Sequence, residues 1–240
     1  MPKLIQAQKD LRKFASREKS QILQRFFKTG SGQYGAGDIF IGVKVPETRL
    51  TSKKHKDLSF KEISHLLKSG VHEDRLMGLL ILVDQYKRAD QLKRKKIFQF
   101  YLKYKSRMNN WDLVDTSAPQ IVGEWLFETD DPRLLYKLVK SKNLWDRRIA
   151  VLATFAFLRK GRHQETIELS LLLLEDKEDL MHKATGWMLR EVGKRDLKSL
   201  VKFLNQNAHV MPRTMLRYSI EKLSPGLKKR YMRQKYLLAP

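Results

Sequence analysis

Four polar residues recur ahead of small and apolar runs: Arg75 before Leu76-Met77-Gly78-Leu79-Leu80, then Asp115, Arg148 before Ile149-Ala150-Val151-Leu152, and Lys183 before Ala184-Thr185-Gly186-Trp187. They are spaced 40, 33 and 35 residues apart. Equivalent positions of a stacked helical repeat line one face, so three cations and one carboxylate would share it. Such a face is a basic groove with one acid set in it. Trp111 precedes Asp115 by four residues, which puts the pair on one side of a helix. Taken singly, each has an ordinary reading as well. Tryptophans at helical spacing are most often core, and an acid in a basic chain most often caps a helix or partners an arginine.

Other chemistries find no residues. The 240-residue chain has no cysteine, which excludes a disulfide scaffold, a thiolate zinc site and a cysteine nucleophile. Its histidines, His55, His65, His72, His163, His182 and His209, include no pair at i, i+4 and no adjoining carboxylate motif, so zinc catalysis has no support. Neither a Gly-x-Ser-x-Gly turn nor a phosphate-binding Gly-Lys-Ser/Thr string occurs. Gly30-Ser31-Gly32-Gln33-Tyr34-Gly35 does spell the dinucleotide fingerprint. That fingerprint works only between a strand and a helix, whereas here the helical run Ile22 to Phe27 precedes it, so the segment reads as a connection between helices.

What remains is charge. Lys and Arg number 49 against 26 Asp and Glu, a net charge of +23 on a chain that is 42% apolar and therefore able to build a core. A polyanion is the first partner to consider. The start of the chain has no signal-like apolar core, and the longest aliphatic run, Leu171 to Leu174, is far short of the roughly 20 residues a membrane helix needs. A cytoplasmic, non-membrane protein is expected.

The elements that must carry these residues are helices. Apolar positions fall at helical spacing through Leu11 and Phe14, Ile22 to Phe27, Ile97 to Leu102, and Val201 to Leu204. Breaks are expected at Asp57-Leu58-Ser59, Ser69-Gly70, Asp130-Asp131-Pro132, Gly161 and Ser224-Pro225-Gly226. The one extended candidate, Ile39 to Val45, is short, and Pro46 behind it suits the first turn of a helix. The expected fold is all-α: a HEAT-like helical-repeat solenoid, an α-α superhelix with a concave basic groove. One domain spans 1–240, with N-terminal helices and a Gly-rich loop over 1–57, helix-pair repeats over 58–225 and a basic tail over 226–240.

Three strings go further: Asn110-Trp111-Asp112-Leu113-Val114-Asp115, Asn143-Leu144-Trp145-Asp146-Arg147-Arg148-Ile149-Ala150 and Lys183-Ala184-Thr185-Gly186-Trp187-Met188-Leu189-Arg190-Glu191. In this order and spacing the chain resembles the AlkD-type alkylpurine DNA glycosylases, built of HEAT-like repeats, from about residue 20 to about 225. The resemblance implies hydrolysis of the N-glycosidic bond of purines alkylated at N3 or N7 in double-stranded DNA. The enzyme would be monofunctional and monomeric, act in base excision repair, need neither metal nor cofactor, and leave the damaged base outside any pocket. Asp115 matches the catalytic carboxylate, and Trp111 and Trp187 match the aromatic pair at the lesion. Arg148 matches a phosphate-binding arginine, and Lys183, Arg190 and Arg75 join it as DNA contacts. Trp125 and Trp145 are read as core. Two departures stand out. Where some members have a lysine two turns after the arginine, Leu152 to Leu158 is apolar until Arg159; where the family has a DNA-facing tyrosine, Phe26 and Phe27 occur, with Tyr34 in the loop nearby.

The implied chemistry needs few groups. A purine alkylated at N3 or N7 is cationic and leaves as a neutral base. Positive charge then moves onto the deoxyribose, where a carboxylate stabilises it as in glycoside hydrolysis and aromatic faces add about 0.5 to 2 kcal/mol each. Two alternatives use the same helices without catalysis: a HEAT-like protein binding branched or damaged DNA, or a protein-binding scaffold.

Overall fold

The computed structural model describes residues 2–233; the end of the expected tail, 234–240, lies outside them. The chain divides into two compact units, one up to Ile121 and one from Val122 on. The first contains α1 (Pro2–Arg12), α2 (Arg17–Phe26), α3 (Val45–Lys54), α4 (Phe60–Lys68), α5 (His72–Arg88), α6 (Gln91–Lys103) and α7 (Trp111–Ala118). The second contains α8 (Glu124–Glu128), α9 (Arg133–Leu138), α10 (Leu144–Arg159), α11 (Gln164–Leu172), α12 (Asp179–Gly193), α13 (Leu197–Asn207), α14 (Arg213–Ser219) and α15 (Pro225–Met232). Residues 226–232, expected as part of a tail, thus lie in a helix that Ser224 caps.

The architecture is all-helical, as the periodicity requires. Ile39 to Val45 contributes a single parallel bridge, Ile39 to Val71, and Pro46 does sit in the first turn of α3. The helices that carry the four recurring polar residues begin at 72, 111, 144 and 179, intervals of 39, 33 and 35 residues. Each polar residue therefore lies at the end of its helix's first turn. Asparagines open two of these helices: Asn110 accepts from the Trp111 amide, and Asn143 from the Trp145 amide. A cap of this kind is worth about 1 kcal/mol and sets where the helix starts.

Each unit is organised around one helix whose middle turns have no polar side. In the first, α5 buries Leu76, Met77, Leu79, Ile81 and Leu82 and packs on α3, α4 and α7. In the second, α10 buries Ile149 to Ala153, Ala156 and Phe157 and packs on α8, α9, α11 and α12. A helix that is apolar all round can only be central. Close approach elsewhere depends on small residues: a Cβ on Gly186 would stand 2.5 Å from the Met215 carbonyl oxygen, so glycine here lets α12 lie directly on α14.

Candidate functional site

In the first unit the site is built on α7. Trp111 is half-buried; its ring stacks on Phe27 at 5.1 Å between centroids and meets Phe26 edge-on at 6.0 Å. Phe27 is buried and continues the stack onto Phe40 at 4.8 Å, whereas Phe26 is 61% exposed. Tyr34 is half-buried in the loop, with the Lys28 ammonium 6.0 Å from its ring centre. One turn after Trp111, Asp115 is also half-buried. Burial drives the Tyr101 phenol upward; the Ser117 hydroxyl opposes this and the Asp115 charge adds to it, so a carboxylate at this point is felt one helix away.

The other acid of the motif has a different fate. Asp112 is buried and accepts hydrogen bonds from its neighbour's amide, Leu113, and from Nε2 of His72 at 2.8 Å. The opposite ring nitrogen of His72 meets Asp38 at 2.9 Å. Asp38 also accepts from Asn109, from Asn110 and from Arg75. Burial alone would raise the Asp38 carboxyl; the His72 hydrogen bond and the Arg75 charge outweigh it and hold it down to about 2. The Gly-rich loop closes over this cluster at Gly35, where a Cβ would strike the Phe27 carbonyl oxygen at 2.4 Å and press on the Asn110 amide at 3.2 Å. The last glycine of the false fingerprint thus serves packing at the start of α7.

Arg75 requires a correction. Spacing places it on an open basic face, but the residue is 2% exposed, its guanidinium paired with Asp38 and donating to the Ser69 carbonyl. Arg75 does fall in the first turn of α5, but the buried carboxylate 37 positions earlier draws the side chain inward. A histidine that no sequence motif singles out also stands beside the site. His72 lies behind Trp111, and nothing in its local sequence points there, because its partners come from the loop and from α7.

In the second unit Lys183, Trp187 and Arg190 fall on one stripe of α12. Lys183 pairs with Asp179 at 2.7 Å, and Arg190 with Glu221. Arg148 on α10 is 5% exposed and donates to the Leu180 carbonyl of α12 at 2.6 Å. Trp187 is half-buried beside Phe155 of α10, ring centroids 6.1 Å apart. Two cations lie on that phenylalanine: Arg159 at 4.4 Å and Arg195 at 5.5 Å. In the sequence Phe155 and Arg159 read as an apolar stretch and its end, yet α10 sets Phe155 beside Trp187 with Arg159 on the Phe155 ring. Trp125 is buried as expected, and Trp145 is half-buried. Among the described residues no group of three His, Cys, Asp or Glu could hold a metal ion, and no helix is long and apolar enough to cross a membrane.

Each unit therefore offers a partly exposed tryptophan, one beside a carboxylate and the other among cations. Against known families, a model described as DNA alkylation repair enzyme matches residues 7–223. The chain belongs to the DNA alkylation repair enzyme family. A solved structure described as a predicted DNA alkylation repair enzyme from Enterococcus faecalis is similar in fold to this family member, with a TM-score of 0.69 and 16% identity over 88% of this chain and 97% of that one. No curated protein matches by sequence. For this repair-family chain, DNA is the partner that the family implies.

Proposed function

We propose that this repair-family protein is a monofunctional DNA glycosylase for cationic N3- and N7-alkylpurines in duplex DNA. One observation carries the reading. Of the two acids in the α7 motif, Asp112 is turned into the fold, while Asp115 stays partly exposed one turn from the half-buried Trp111. In the reaction the C1′–N bond breaks, its electron pair leaves with the base, and the alkylated purine departs neutral. The sugar is left with oxocarbenium character. Asp115 stabilises that charge and orients a water, whose oxygen bonds to C1′ while its proton passes to solvent, leaving an abasic site. Trp111 adds its electron-rich face to the same developing charge. Trp187, Lys183, Arg190 and Arg159 are the second unit's contribution to DNA, while Arg148, buried against the Leu180 carbonyl, braces α12 from behind.

Duplex DNA carrying N7-methylguanine tests this directly, with free base as the readout. Release is expected; a folded protein that binds this DNA and releases nothing would favour the noncatalytic binder. The phosphate contacts have their own signature. Affinity for duplex DNA should fall with salt at a log–log slope of roughly −0.9 per phosphate, and Lys183→Ala should weaken binding across sequences and flatten that slope by about 1. Equilibrium titrations from low to moderate salt check both, and an affinity indifferent to salt would count against DNA as the ligand.

A further inference from the structure

We propose that His72 is a positioning residue for Trp111 and Asp115, a buried imidazolium that clamps the first turn of α7 to α5 and to the loop ahead of α3. With both facing carboxylates ionised, the geometry requires the charge. Both ring nitrogens face carboxylate oxygens, Asp38 at 2.9 Å and Asp112 at 2.8 Å, and a neutral imidazole has one N–H, which would leave a lone pair pressed against an oxygen at hydrogen-bond distance. With both nitrogens donating, Asp38 and Asp112 balance His72 and Arg75, and the buried cluster is neutral. Without that proton it carries an unmatched negative charge.

The remaining charges near the ring are engaged elsewhere. Glu73 accepts the backbone amides of Ile41, Gly42 and Val43, and Asp74 accepts from Arg12 and Ser69. Phe40 and Phe27, at 4.3 and 5.3 Å from the ring, bring no charge. Burial by itself would lower the His72 pKa; the hydrogen bonds with Asp112 and Asp38 outweigh it and raise it.

The clamp holds Trp111 from two directions. Along the backbone, Asn110 is tied through Asp38 and Asp112 through His72, one residue on either side of the tryptophan. Across the rings, Trp111 rests on Phe27, which packs against the His72 ring. Asp115 takes its position from the same helix. Groups that support a reacting residue matter because small displacements at a site cost rate out of proportion to stability.

The rate arm of the test rests on the glycosylase reading; the spectroscopic arm does not. In His72→Gln the amide can donate to one carboxylate but turns its carbonyl on the other. Single-turnover base release is expected to fall about 10-fold or more, with affinity for undamaged duplex unchanged. Adding Asp112→Asn, which removes the conflict, should restore part of the rate. Independently, nitrogen NMR of the native chain at pH 8 should show both His72 ring nitrogens protonated, and the release rate should decline at alkaline pH in step with loss of that proton. A neutral His72 ring at pH 8, or a folded His72→Gln protein with full rate, overturns the proposal. Should the variant not fold, the native titration and pH profile decide. Should the native chain release no base, the glycosylase reading falls, and the Trp111 indole resonance replaces the rate: His72→Gln must shift it, and an unmoved signal refutes the clamp.

Discussion

Asp115→Asn releases N7-methylguanine at least about 10²-fold more slowly than the native chain, the size of effect seen when one preorganised electrostatic partner of a transition state is removed. Its affinity for the same duplex stays equal or rises slightly, because a carboxylate that repels phosphate is gone. The substitution keeps volume and most hydrogen-bonding capacity, so the loss belongs to charge. Single-turnover kinetics beside a binding isotherm separate the two effects, and a thermal melt controls for folding. Unchanged turnover would move the catalytic role off Asp115. Asp112→Asn is a useful contrast. Its carboxylate is bound to His72 inside the fold, so the damage should first appear as lost stability of the first unit.

The second large effect is discrimination by the charge of the lesion. N7-methylguanine and N3-methyladenine should be released, while 1,N6-ethenoadenine and 8-oxoguanine persist over the same incubation. A neutral lesion needs a proton on the leaving base, and the histidine nearest Trp111 has both ring nitrogens committed to Asp38 and Asp112. Asp115, to stabilise the sugar, must itself be ionised. Enlarging the alkyl group should matter less than it does for enzymes that close a tight pocket around a flipped base. Comparable release of neutral and cationic lesions would demand a proton donor beyond Asp115 and His72, and would sink the mechanism even for a working glycosylase.

The buried cluster also sets a pH window. The raised His72 pKa contributes stability that is fully present below the ordinary value of 6.5 and is lost as pH rises through the folded value. Asp38 works in the other direction: its contribution is present above the ordinary 3.8 and is lost as pH falls toward about 2. Both contributions are fully present between 3.8 and 6.5, and the pH ranges over which each is lost do not overlap.

What the amino-acid sequence determined alone is what depends on near neighbours along the chain. Helical periodicity, the breaks at Ser69-Gly70 and Gly161, Pro46 in the first turn of α3, and the repeat interval that carries Arg75, Asp115, Arg148 and Lys183 all follow from local propensity and spacing. So does the pairing of Trp111 with Asp115, since residues four apart on a helix share a side. Tertiary structure decided where each polar group spends its charge. Arg75 and Lys183 both stand near the end of the first turn of their helices, yet Arg75 is drawn inward by Asp38 while Lys183 stays partly exposed beside Asp179. Asp112 and Asp115 are three residues apart in one short motif, and only the placement of His72 on α5 makes the first a structural acid. Arg159 looked like the end of an apolar run until α10 and α12 set Phe155 beside Trp187. The physical reason is common to all three. Burial and ion pairing are energies of contact between segments tens of residues apart, and no local pattern encodes which partner will be waiting there.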